Sequence, residues 1–227
     1  MVKFENVSKK FSSQGFSLAE INFVINDGEF VFLTGPSGAG KTTILKLILR
    51  EHLPTTGEIY LNDWKLSKMK SSEISKLRRK VAMVFQDFRL LVDRTVYENI
   101  AIALELRGIL DKEIEKKVKN VLTLTSLLEQ KNLFPVQLAG GELQRACIAR
   151  ALVGNPEILL ADEPTGNLDP ATSWEILNLL ARINKMGTTV LMATHNIDIV
   201  NSLKKRVLTL NKGRIVKDEK EGKYETL

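Results

Sequence analysis

The sequence predicts an α/β protein: a parallel-sheet core with an antiparallel β part at its N terminus and an α-helical insert. Three observations carry this. Wholly apolar runs of strand length, such as "FVFL" and "ILLA", alternate with helical patterns, as they do in βαβ units buried on both faces. A glycine-rich segment, "GPSGAGKTT" at 35–43, joins one such strand to a helical run. Between about 89 and 155 the strand pattern stops and only helical periodicity remains. One domain is expected over 1–227, its core formed by 1–88 and 156–227 and its helical part by 89–155.

Each element has its own pattern. Apolar and polar side chains alternate in "VKFENV" and "INFVIN", with turn signals "SSQG" and "NDGE" between and after them, which reads as antiparallel strands. "EFVFL" is a continuous apolar strand entering the glycine loop, and "KTTILKLILR" is the helix leaving it. "EIYLN" and "KVAMVFQ" are further strands. In the insert, Val96, Ile100 and Leu104 share one helix face, as do Ile114, Val118, Val121, Leu122 and Thr125. "EILLAD" and "TTVLMAT" are strands separated by a helix with the stripe Ile176, Leu177, Leu180 and Ile183. "RVLTLNKGRIV" is a hairpin around Asn211–Gly213, and the polar tail "KDEKEGKYETL" is expected to fray.

Composition narrows the class. The 227 residues suffice for a full core, and 44% hydrophobic with 26% charged residues is ordinary for a globular protein. No apolar run nears the roughly 18 residues of a membrane-spanning helix. "MVKFENVSKKF" lacks the apolar core of a signal peptide, so a cytoplasmic location is expected. The single cysteine, Cys147, can form no internal disulfide and reads as a small buried apolar residue. A net charge of +6 suggests a polyanionic partner: nucleotide, nucleic acid or anionic lipid surface. The basic cluster Lys65, Lys68, Lys70, Lys76, Arg78, Arg79 and Lys80 reads as a solvated helix face. No aromatics are interleaved to stack on bases, so no nucleic-acid partner is expected.

"GPSGAGKT" matches G-x-x-x-x-G-K-[ST] in the strand–loop–helix setting that such a phosphate loop needs. Gly35, Gly38 and Gly40, with Pro36, Ser37 and Ala39 between them, let backbone amides converge on phosphate. Lys41 is expected to neutralise the β- and γ-phosphates of a nucleoside triphosphate and Thr42 to place its hydroxyl on Mg²⁺, with Thr43 closing the motif. "ILLADEP" (158–164) buries a strand and releases two carboxylates at its end: Asp162 for the Mg²⁺ shell, Glu163 to polarise a water in line with the γ-phosphate. With no acceptor site evident, the chemistry expected is hydrolysis rather than transfer. Gln86 and His195 end two strands of the same sheet and are expected to reach the γ-phosphate, and Phe11 is a candidate to stack on adenine.

"LAGGELQR" (138–145) poses a further question. Its glycines open a helix and so expose a second phosphate nest, although the loop at 35–43 already surrounds one nucleotide. A nest at Ala139, Gly140, Gly141 and Glu142 is therefore expected to serve the ATP of a second copy, in an ATP-dependent two-fold homodimer.

In this order, and over nearly the whole chain, "GPSGAGKTT", Gln86, "LAGGELQR", "LLADEP", "NLD" (167–169) and His195 resemble the ABC-type ATPase subunits. Within that family "VFQDFRLLVDRTVYENIAIAL" (84–104) is similar to the cell-division members, while lipoprotein-release and macrolide-export members share "LLADEPTGNLD" but differ here. The resemblance implies the ABC ATPase fold with a RecA-like P-loop NTPase core. It also implies Phe11 as the adenine-stacking aromatic, Gln86 as a Mg²⁺ contact and sensor of a membrane partner, and Asp169 as part of a loop crossing the dimer. It further implies an integral membrane permease-like partner and a place on the cytoplasmic face of the membrane. An exporter or lipoprotein-release ATPase is the alternative. The departures are Ala139, where the family has serine, and Leu143, where glutamine is usual.

Overall fold

The computed structural model describes residues 1–12 and 15–222; the middle of the expected "SSQG" turn and the tail residues 223–227 lie outside the described residues. The alternating N-terminal segments form β1 (Val2–Ser12) and β2 (Gly15–Ile25), followed by the buried β3 (Phe30–Thr34) and by α1 (Lys41–Ile48). β4 (Thr56–Leu61), β5 (Trp64–Lys65), α2 (Ile74–Lys80) and β6 (Val81–Val84) come next. Three helices then run with no strand between them: α3 (Val96–Glu105), α4 (Asp111–Leu124) and α5 (Gly140–Leu152). β7 (Ile158–Asp162), α6 (Pro170–Lys185), β8 (Thr189–Ala193), α7 (Ile197–Leu203), β9 (Arg206–Asn211) and β10 (Arg214–Glu219) complete the chain.

Two sheets result. β2-β1-β4-β5 is antiparallel, and β10-β9-β3-β8-β7-β6 is parallel except for the β10 edge. The apolar strands of the second sheet divide their side chains between two cores because successive residues point to opposite faces. Phe30, Phe32, Leu159, Ala161, Val190 and Met192 join the core shared with α3–α6. Val31, Leu33, Leu160, Leu191 and Ala193 join the one shared with α1 and the antiparallel sheet. All the helix-face residues expected from periodicity are buried: Val96, Ile100 and Leu104; Ile114, Val118, Val121, Leu122 and Thr125; Ile176, Leu177, Leu180 and Ile183.

Three details differ from the sequence reading. Lys217–Glu219 do not fray but pair with β9, anchored by Arg206, which donates to both carboxylate oxygens of Asp218 at 2.8 Å. The basic run is not one helix face. Lys65 lies in β5 and pairs with Glu58, Lys80 pairs with Glu157, and only Ile74–Lys80 are α-helical. The short α7, capped by Asn196 accepting from the Ile199 N–H, carries too few residues to show a period. Among the described residues no helix is long and apolar enough to cross a membrane.

Cys147 is buried, and its thiol donates to the Phe88 carbonyl at 3.0 Å. Burial pushes its pKa up to about 12. At pH 8 only on the order of one thiol in ten thousand is then ionised, and the thiolate is the reactive form. Cys147 is expected to resist iodoacetamide at pH 8 in the folded chain and to be alkylated readily in denaturant. Mass spectrometry checks this, and fast native labelling would contradict the packing described.

Candidate nucleotide site

The parallel strands β3, β8, β7 and β6 open at their carboxyl ends on one edge, where such sheets bind ligands. The cleft there, of about 630 Å³, is lined by Pro36, Ser37, Gly38, Gly40, Lys41, Thr42, Thr43, Gln86, Asp162, Glu163 and His195, all expected from the sequence. Ser17 and Ile197 line it too and were missed. Ser17 is one residue of an alternating strand, its hydroxyl 3.4 Å from that of Thr43, and no local pattern marks it. Gly35 and Ala39 support the loop from beneath: Ala39 is buried, and the Gly35 carbonyl accepts from Lys41 Nζ at 2.7 Å. Gly35 has φ 140°, and a Cβ there would stand 2.1 Å from the Leu210 carbonyl oxygen, so only glycine lets the loop pass this close to β9.

At the pocket floor Thr42 Oγ1 donates to Asp162 Oδ1 at 3.1 Å. Burial pushes the Asp162 carboxyl up, opposed by the Thr42 hydroxyl and aided by the neighbouring Glu163 charge. A hydroxyl and a carboxylate side by side, with the Gln86 amide in the same cleft, are hard oxygen donors suited to Mg²⁺. Among the described residues no group of three or more His, Cys, Asp or Glu could hold a metal unaided.

Glu163 is where the strand breaks. Its φ of 47° is left-handed, and its N–H donates to the Ala193 carbonyl at 2.9 Å. Such a backbone at a non-glycine residue costs on the order of 1–3 kcal/mol and gathers at functional sites. The turn brings the carboxylate to 2.9 Å from His195 Nδ1 and 3.6 Å from Lys41 Nζ. The sequence reading gave Glu163 and His195 separate tasks; the fold makes them partners.

The remaining candidates lie outside this cleft. Phe11 is 55% exposed, edge-on to His52 at 5.1 Å and beneath Lys9 Nζ at 5.0 Å. Ala139, Gly140, Gly141 and Glu142 begin α5 away from the pocket lining. A Cβ at Gly141 would stand 2.4 Å from Thr172, and one at Gly140 3.3 Å from Leu168, so the glycine nest packs on the start of α6. Asp169 caps that helix, accepting from the Thr172 N–H at 3.0 Å and from its hydroxyl. Nest and Asp169 thus share one surface, separate from the pocket of their own chain.

A parallel core with a phosphate loop after β3, paired carboxylates at the end of β7 and a helical region that begins α5 with a glycine pair define a nucleotide-hydrolysing cassette. The chain belongs to the ABC transporter family, whose description matches residues 18–166. It is 50% identical over 224 residues to the cell division ATP-binding protein FtsE of Bacillus subtilis, spanning 99% of this chain and 98% of that one. With FtsE of Mycobacterium tuberculosis it shares 48% over 225 residues, 99% and 98% of the two chains. Among solved structures, a dimeric ATP-binding cassette in a post-hydrolysis state, bound to ADP and Pi, superposes with a TM-score of 0.88 at 37% identity, over 99% of this chain and 100% of that one. The cassette cbiO1 from Clostridium perfringens, part of the ABC transporter complex cbiONQ, gives 0.90 at 31% identity, over 97% and 88%.

Proposed function

We propose that this chain is the ATP-hydrolysing subunit of a membrane-associated complex of the FtsE–FtsX kind, coupling ATP-driven dimerisation to a permease-like partner that regulates cell-wall hydrolysis at division. The observation that supports it most is the 50% identity to FtsE across 99% of the chain.

ATP phosphates lie in the loop 35–43, with Lys41 swinging from its own loop carbonyls onto the β- and γ-phosphates. Thr42, Asp162 and Gln86 would hold Mg²⁺, which would supply positive charge against the phosphate. Glu163 takes a proton from the attacking water as general base. His195, bonded to Glu163 at 2.9 Å, fixes that carboxylate and faces the γ-phosphate. Phe11 offers an exposed ring to adenine. The nest at Ala139, Gly140, Gly141 and Glu142, with Asp169 beside it, faces the γ-phosphate of a second copy, so ATP closes the dimer and hydrolysis opens it. The partner docks along Gln86–Asn99, where Leu91 and Val92 are exposed, and holds the chain at the cytoplasmic face of the membrane.

The alternative, an exporter or lipoprotein-release ATPase, is favoured by the likeness to cbiO1 and differs only in the membrane partner. Affinity purification from detergent-solubilised membranes separates the two. Co-elution of an FtsX-type protein is expected, and recovery of a solute or lipoprotein permease in its place would reject the cell-division reading.

Ala139→Ser tests the trans nest. Ala139 is the N-cap of α5 with no side-chain cap, while Glu142 Oε2 accepts from its N–H at 2.9 Å, half of a capping box. Serine would complete the box, worth about 1 kcal/mol, or a rise of roughly 2–4 °C in Tm. It would also add a hydroxyl donor to the partner's γ-phosphate, a net gain of about 1–2 kcal/mol, or roughly five- to thirtyfold in turnover or dimer closure. Thermal melts without nucleotide read the cap; ATPase assays across a protein-concentration series read the trans contact. Unchanged turnover and dimerisation would remove the trans contact.

A further inference from the structure

The segment between Gln86 and α3 carries strain that the steps above leave unused. Phe88 and Arg89 both have left-handed backbone, with φ 57° and 53°. Bulky L residues rarely enter this region, and two in succession persist only where neighbours hold them. The holder is Arg150, near the end of α5. Its Nη1 donates to the Arg89 carbonyl at 2.5 Å and its Nη2 to the Phe88 carbonyl at 3.1 Å. Cys147, one turn earlier, donates its S–H to the same Phe88 carbonyl. Among the described residues Arg150 makes no ion pair, and its partly buried guanidinium donates to these two carbonyls.

The strained pair is fastened to the two residues that flank Gln86 in the chain, Phe85 and Asp87. The Arg89 guanidinium lies 3.8 Å from the centre of the Phe85 ring, and its Nε bonds Asp87 Oδ1 at 3.0 Å. Gln86 itself stands in the nucleotide cleft, its amide against Gly166, where a Cβ would come within 3.2 Å of Nε2. Contacts thus run from Arg150, on the helix that begins with the glycine pair, to Phe85 and Asp87, and the backbone carries them on to Gln86 between the two.

We propose that Arg150 is a positioning residue, which clamps the left-handed pair Phe88–Arg89 and so sets where the Gln86 side chain stands beside the nucleotide. The inference rests on the reading of Gln86 as a residue of the ATP site. Two carbonyls on adjacent residues suit the planar fork of arginine, whereas a lysine is a single point charge and reaches one at a time.

The test is a cycle in the full chain: parent, Arg150→Lys, Gln86→Ala and the double variant, each with kcat, KM for ATP and Tm. Arg150→Lys is expected to lower kcat about five- to tenfold with KM within about twofold, and to change kcat less than about twofold in the Gln86→Ala background, because residues acting as a unit are non-additive. A parent-like kcat for Arg150→Lys, an undiminished loss in the Gln86→Ala background, or a fall in Tm with kcat intact below it overturns the clamp. A parent chain that hydrolyses no ATP would overturn the ATPase reading itself, while an active parent with an additive cycle overturns only the clamp.

Discussion

Glu163→Gln is expected to lower ATP turnover by about 10²–10⁴-fold, the range of a lost general base, while ATP binding persists and an ATP-bound dimer accumulates. The amide keeps the shape of the carboxylate, so the left-handed turn at 163 and its N–H bond to Ala193 are undisturbed. It cannot take a proton from water. In the parent chain the carboxylate also lies 3.6 Å from Lys41 Nζ, and removing its charge frees that ammonium for phosphate, so affinity is not expected to fall. With the γ-phosphate intact, the proposed trans nest is expected to stay engaged. Phosphate release and size-exclusion chromatography in MgATP check both halves. Turnover at the parent rate, or a variant that stays monomeric far above its ATP affinity, would reject Glu163 as the base.

Gly35→Ala is expected to disable the loop, and Gly38→Ala to be mild by comparison. A Cβ at position 35 would stand 2.1 Å from the Leu210 oxygen and 3.1 Å from its carbonyl carbon, both backbone atoms of a buried strand that cannot step aside. Either β9 or the loop must shift, and such overpacking costs about 1–3 kcal/mol or more, which for a chain of this size is roughly 2–12 °C in Tm. The loop shift also displaces the carbonyl that Lys41 bonds at 2.7 Å, so ATP affinity is expected to drop by tenfold or more, about 1.4 kcal/mol. At Gly38 nothing lies within 4 Å of an added Cβ, leaving only the strain of its φ of 77°, about 1 kcal/mol. Nucleotide titration and thermal melts of the two variants would show this order, and equal losses in both would mean that contact with Leu210 is not what demands glycine at 35.

Much of this protein was legible because its signals are local. A strand buried on both faces must be apolar throughout, so "FVFL" and "ILLA" announce themselves, and a helix packed on one side must repeat its apolar residues, as Ile176, Leu177, Leu180 and Ile183 do. A loop that wraps phosphate needs glycines and a lysine at set spacing, and it precedes a helix because the helix N-terminus favours the anion. Pairing across distance left no such mark. Whether Lys217–Glu219 form a strand depends on Arg206, which no window of sequence places beside Asp218.

The sequence by itself therefore determined the fold class, most of the strands and helices in order, and the residue types expected to meet ATP, since each follows from periodicity or spacing within a few residues. Only the tertiary structure decided that His195 holds Glu163, that Ser17 and Ile197 enter the cleft, that Phe11 and the glycine nest stand outside it, and that Arg150 ties the strained pair beside Gln86 to α5. Those relations join residues far apart in the chain, and their geometry is set by how the sheets and helices pack rather than by any local preference.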